Sequence, residues 1–219
     1  MNNDIVVIHG SNPENDFEVT YDRFESLLKS LKTVNINCTA TVGSETKTCE
    51  EWHKILKEEH IKYVEGDIFF PISQVDKNIT VFVPHVCNDK HAWGAGFVVP
   101  LGKTYPSAKR AYMDWKVDFC LGETDFVTVS DNVVVCNMVA QTLGGDRPLF
   151  YNHLSSCLEK VAKRVLSSPV KSKIMCPAFG AGLAGGDWKI IKELINDSWI
   201  RRGIDVTVFY LNGTLNLDE

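Results

Sequence analysis

From Ile61 onward, hydrophobic positions fall in short runs separated by longer stretches with a three-to-four residue beat. The short runs are Ile61–Val64, Ile79–Val86, Phe126–Val129, Val133–Val139, Lys173–Cys176 and Val206–Leu211. Their length and their Val, Ile and Phe content predict strands, several buried on both faces. The stretches with helical spacing are Tyr105–Leu121, with Pro106 suited to a first turn, Leu149–Ser167 and Trp188–Arg202. In the second, Leu154, Leu158, Val161 and Val165 share one face; the third stops at Gly203. Strands alternating with helices predict an α/β fold, a three-layer α/β/α sandwich around a mostly parallel sheet. The segment Phe126–Val139 turns at Ser130-Asp131-Asn132 and reads as a hairpin, which would make the sheet mixed.

The first 60 residues follow a different pattern. Ile5–Ile8 reads as a strand, Tyr21–Leu31 and Thr48–His60 as amphipathic helices, and Asn35–Val42 as extended chain. These lengths predict an N-terminal extension (1–60) packed on a main domain (61–219), because some 60 residues bury little core alone.

Composition narrows the partners. A formal net charge of -5 gives no broad positive field for nucleic acid or an anionic membrane, although local backbone dipoles can still hold a small anion. No run approaches the roughly 20 apolar residues of a membrane span, and Met1-Asn2-Asn3-Asp4 lacks a basic leader, so a cytoplasmic location is expected. Seven scattered cysteines without a C-x-x-C pair read as reduced thiols. Neither they nor the six histidines have metal-ligand spacing, so no metal and no cofactor is expected.

Two glycine-rich turns carry the candidate chemistry. PAFGAGLAGGDW (177–188) follows a strand and precedes a helix, and contains Gly180-x-Gly182-x-x-Gly185. Glycines let backbone N–H groups approach phosphate oxygens, and the following helix points its positive end at them. A dinucleotide fold of the usual kind places this loop after its first strand; here only one strand remains, which argues against an NAD-type oxidoreductase. HVCNDKHAWGAGFVVPL (85–101) is a second such turn, and two of them at neighbouring strand ends can grip one diphosphate from both sides. Asp67, just past the Ile61–Val64 strand, can accept a hydrogen bond from an exocyclic amine such as that of adenine.

Taken in order, YVEGDIF, HVCND…WGAGFV, TYPSAKRAY, CNMVAQ and PAFGAGLAGGDW resemble the macrodomain family, the ADP-ribose-binding fold, over about Ile61 to Leu211. The style is that of its ADP-ribose 1″-phosphate phosphatase and Appr-1-p processing branch. The resemblance implies that Asp67 and the Ile68 backbone hold adenine, with Tyr210 and Asn212 beside it. It implies that Gly94, Ala95, Gly96 and Phe97 flank the distal ribose and diphosphate, that Phe179, Gly180, Ala181, Gly182 and Leu183 wrap the diphosphate, and that Asn88 addresses the ribose hydroxyls. A histidine at the place of His85 recurs in that branch, which makes it the first acid/base candidate, with a structural histidine as the other reading; Asp89 is a second candidate. Asp187 reads either as a helix N-cap or as a water-orienting carboxylate, and Cys87 as a buried structural thiol.

The implied activity is metal-independent hydrolysis of ADP-ribose 1″-phosphate to ADP-ribose and phosphate. Removal of ADP-ribose from modified protein or nucleic acid and non-catalytic reading of ADP-ribose are the alternatives. The lysine of the glutamate-directed branch is replaced here by Ala140-Gln141, which argues against that branch's chemistry. The expected partners are ADP-ribose derivatives and ADP-ribosylated macromolecules, with no membrane.

Overall fold

The alternating apolar runs become strands that share one sheet. In the computed structural model, which describes residues 5–9, 16–30, 39–42, 45–58, 61–144, 148–211, 213 and 215, the chain separates into two compact units, Met1–His60 and Ile61–Glu219.

The second unit is built on six strands: β5 (Lys62–Glu65), β6 (Thr80–Asn88), β7 (Thr124–Ser130), β8 (Val133–Gln141), β9 (Ser172–Pro177) and β10 (Val206–Tyr210). Their order is β5-β10-β9-β6-β8-β7; every pairing is parallel except β7 with β8. Period-2 alternation sends Val134, Cys136 and Met138 to one face, against α6 (Tyr151–Leu166) and α7 (Trp188–Ser198). It sends Val81, Val83, Val133 and Val135 to the other, against α3 (Phe69–Ser73), α4 (Val98–Thr104) and α5 (Pro106–Asp114). The result is the three-layer sandwich with a mixed sheet that the hydrophobic pattern predicts. The buried Trp199 indole donates to Leu158 O at 2.9 Å, tying α6 to the end of α7.

Three local expectations change. The helix expected over Tyr105–Leu121 ends at Asp114, because Trp115 is extended and Asp118 takes a φ of 58° that stops a right-handed helix. α3 and α4 are additional, each too short to show a helical beat. The cysteines are not uniformly reduced: Cys49 is disulfide-bonded, while Cys87, Cys120, Cys136, Cys157 and Cys176 are free.

The first unit is an antiparallel sheet of β1 (Ile5–His9), β2 (Phe17–Thr20), β3 (Thr39–Val42) and β4 (Glu45–Thr48), ordered β2-β1-β3-β4, with α1 (Tyr21–Ser30) and α2 (Cys49–Glu58). It has its own core of Val6, Ile8, Phe24, Leu28, Ala40 and Trp52. At the start of α2, Glu51 N donates to Thr48 Oγ1 while Thr48 N donates to Glu51 Oε2, a reciprocal cap. Asn212 lies outside the described residues. Among those residues no helix is long and apolar enough to cross a membrane.

Candidate functional site

The sheet creates its own crevice. β6 pairs with β8 along its whole length to Asn88, but with β9 only from Thr80 to Phe82. Beyond Phe82 the two strands separate, and a cavity of about 640 Å³ opens between their carboxyl ends. That is where the loops after β6 and β9 meet, as open α/β sheets generally place ligands.

The two loops face each other across this space. Gly94, Ala95, Gly96 and Phe97 line one wall, and Phe179, Gly180, Gly182 and Leu183 the other. The Leu183 side chain, 76% exposed, reaches to 3.5 Å from where a Cβ on Gly96 would stand, so the loops touch over the cavity. Among the described residues, the amide N–H groups of Ala181, Gly182 and Leu183 meet no protein acceptor. A Cβ on Gly94 or Gly182 would meet nothing within 4 Å, and neither residue has a positive φ. Packing inside the protein therefore does not require glycine at either place, and both positions open onto the cavity.

Other glycines of the loop are demanded by the fold. Gly180 and Gly185 have φ of 80° and 63°. A Cβ on Gly186 would come within 2.5 Å of Leu149 Cδ2 and 2.7 Å of the Gly180 carbonyl, to which the Gly186 amide donates at 2.8 Å. Asp187 caps α7, its Oδ1 accepting from Lys189 N at 2.8 Å, while its own N–H donates to the Tyr151 hydroxyl. It does not line the cavity.

His85 is 1% exposed, packed edge-on against Trp93 and tilted against Phe97. The Asn137 side-chain nitrogen donates to Ala108 O, which turns Asn137 Oδ1 toward the ring, and His85 Nε2–H donates to it at 2.7 Å. Nδ1 faces the Cys87 thiol at 3.7 Å. Burial pushes the His85 pKa down to about 4, only partly offset by the hydrogen bond to Asn137, so the ring is neutral near pH 7. Burial likewise pushes the Cys87 thiol well up and keeps it protonated. Both residues lie on the cavity floor as neutral, packed groups.

Asn88 also lines the cavity, but its amide organises its own loop. Nδ2 donates to Ala92 O at 2.8 Å, and Oδ1 accepts from the Lys90 and Ala92 amides at 3.0 Å each. Asp89 accepts from the Thr142 hydroxyl at 3.0 Å, linking this loop to the one after β8. That second loop was not anticipated as a wall: Gln141, Thr142, Leu143, Gly144 and Pro148 line the cavity. Its signals in the sequence are its place after a parallel strand and the CNMVAQ motif that ends at Gln141. Among the described lining residues there is no Lys, Arg, Asp or Glu.

The residues expected at the adenine end make contacts of their own at the carboxyl edge of the sheet. Asp67 Oδ1 accepts from Phe69 N at 2.9 Å, Gly66 N donates to Tyr210 O at 2.9 Å, and Ile68 is buried in the core. Asp67, Ile68, Ala181 and Tyr210 are not among the lining residues of the cavity, although Gly66 and Tyr210 mark the same carboxyl edge of the sheet.

No protein-family model matches the chain. An uncharacterised 17.5 kDa protein of enterobacteria phage T4 is 29% identical over 145 residues, 62% of this chain and 88% of that protein. An ADP-ribose 1″-phosphate phosphatase of Debaryomyces hansenii is 34% identical over 55 residues, 25% of this chain and 30% of the phosphatase. DarTG of Thermosipho africanus, solved in complex with ADP-ribose, is 12% identical with a TM-score of 0.57, covers 99% of this chain and 71% of its own, and is comparable in fold alone. A macrodomain protein from Streptomyces coelicolor is 35% identical, with a TM-score of 0.58 over 68% of this chain and 98% of its own length. With the separated β6 and β9, the paired glycine loops and this likeness together, the chain belongs to the macrodomain family.

Proposed function

We propose that the cavity binds ADP-ribose derivatives and that the protein hydrolyses the bond to the substituent on the distal ribose, with ADP-ribose 1″-phosphate as the substrate. The observation that carries the binding half is the pair of facing loops, in which Gly94 and Gly182 leave space that the protein does not fill. In this reading the Gly182 and Leu183 amides receive the diphosphate, α7 follows the same loop, and Leu183 closes over the top. The phosphatase half is supported by the 55-residue likeness to the Debaryomyces phosphatase and by the resemblance of the His85–Phe97 loop.

His85 serves in this scheme as a neutral ring that shapes the floor, with Asn137 positioning it. Asp89 is the carboxylate nearest to the lining residues in sequence and takes the part of the general base, held by the Thr142 hydroxyl. One observation favours a second reading, a non-catalytic ADP-ribose reader: the titratable side chains on the described cavity wall, His85 and Cys87, are both held neutral.

Phosphate release from ADP-ribose 1″-phosphate, measured alongside calorimetric binding of ADP-ribose, separates the two. Turnover that falls by about 100-fold or more in Asp89→Asn, with binding retained, supports the phosphatase. Binding without turnover leaves the reader.

A further inference from the structure

The first unit carries a hydrogen-bonded array that no part of the cavity uses. On the sheet face opposite Val6, Ile8 and Ala40, His9 of β1 and Thr41 of β3 are diagonal neighbours, since His9 pairs with Thr39 and Val7 with Thr41. Asp16, immediately before β2, places Oδ2 2.7 Å from His9 Nδ1. On the other side of the ring, His9 Nε2 lies 2.9 Å from Thr41 Oγ1, and Thr41 Oγ1 lies 2.7 Å from Thr46 Oγ1 of β4.

The donor and acceptor roles follow from the chain of partners. An ionised carboxylate only accepts, so Nδ1 carries the proton, and in the neutral ring Nε2 presents its lone pair. The Thr41 hydroxyl therefore donates to Nε2, and the Thr46 hydroxyl donates to Thr41 Oγ1. A hydroxyl donating to an imidazole whose far nitrogen is held by a carboxylate is the arrangement that activates an oxygen nucleophile. The histidine is about one-third exposed, with a side-chain accessibility of 35%, so a small reagent can reach this array.

We propose that Thr41 is a reactive hydroxyl, a site for acyl transfer that His9 activates and Asp16 orients. Thr41 Oγ attacks the carbonyl carbon of an activated ester while its proton passes to His9 Nε2. The tetrahedral intermediate then collapses: the bond to the leaving oxygen breaks, that oxygen takes the proton from Nε2, and an acyl-threonine and an alcohol result. No oxidant, reductant or metal enters the balance.

The test treats the full chain with p-nitrophenyl acetate and follows acetylation of each residue by peptide mass spectrometry, with surface lysines in the same sample as internal reference. The expected result is acetyl on Thr41, absent in Thr41→Val, retained in Thr41→Ser, and formed at least about tenfold more slowly in His9→Gln and Asp16→Asn while lysine labelling is unchanged. Circular dichroism reports whether each variant folds. Should His9→Gln not fold, Asp16→Asn decides, since Asp16 lies outside the strands. A folded wild-type protein with no acetyl on Thr41, or an equal rate in the folded variants, would overturn the proposal and assign the array to cross-linking strands.

Discussion

The loops on the two sides of the cavity reach a similar purpose by opposite means. The loop after β6 is held by side chains: the Asn88 amide makes three bonds to the backbone around it, and the Tyr112 hydroxyl donates to Asn88 O. The loop after β9 is held by its own backbone, through Gly186 N to Gly180 O and Gly185 N to Gly182 O. One therefore depends on what Asn88 carries, the other on what glycines lack. Within the second loop the glycines divide again. Gly186 is glycine because the protein fills the space beside it, and Gly182 is glycine although the protein leaves that space open.

The sharpest way to break this division is Gly186→Val. Its branched side chain would be driven into a backbone carbonyl and Leu149, so the unfolding free energy in urea should fall by about 3 kcal/mol or more. A loss under about 1 kcal/mol would mean that the loop is far more compliant than its bonds imply.

Acid addresses the floor beneath the loops. The folded pKa of His85 is depressed, so the unfolded chain binds the extra proton first. The stability contributed is fully present above the ordinary histidine range and is lost as pH falls toward about 4, an effect on the order of 3 kcal/mol. Urea unfolding at a series of pH values should show this slope in the wild type and a shallower one in His85→Gln. Identical slopes would place the titration elsewhere.

Asn88→Ala removes the organiser of the opposite loop and leaves two backbone amides without their acceptor. A loss of about 2 kcal/mol is expected in the same unfolding assay, with weaker ADP-ribose binding. A smaller effect, about 1 kcal/mol, is expected for Asp187→Ala, with binding largely retained, since its side chain caps α7 rather than facing the cavity. Loss of turnover in Asp187→Ala with binding intact would instead restore it as a water-orienting carboxylate.

How far these distinctions can be read from the chain depends on their range. The strands of the second unit are legible because burial on both faces demands continuous apolar runs such as VVVC at Val133–Cys136. β4, with the sequence ETKT, has no such signature; it exists because β3 offers it an edge. The glycine loops are legible from spacing, since turns at positive φ such as those of Gly180 and Gly185 are a local demand. What Asn88, Asp187 and His85 do with their polar atoms is not local. Asn88 closes on Ala92 and Asp187 on Lys189 only once the loop and helix have formed. His85 stays neutral because Trp93 and Phe97 arrive from elsewhere to exclude water, which outweighs the hydrogen bond to Asn137. A histidine at a strand end thus reads as an acid/base candidate in the sequence and stands as a neutral, buried ring in the fold.

Calorimetric titration of ADP-ribose into the wild-type chain and into Gly182→Val tests the central claim most directly. Saturable heat is predicted for the wild type. Gly182→Val should unfold within about 0.5 kcal/mol of it yet bind at least about tenfold more weakly, because the new side chain occupies the open space that the proposal gives to the diphosphate. No heat from the wild type, or equal affinity in the variant, would contradict the account.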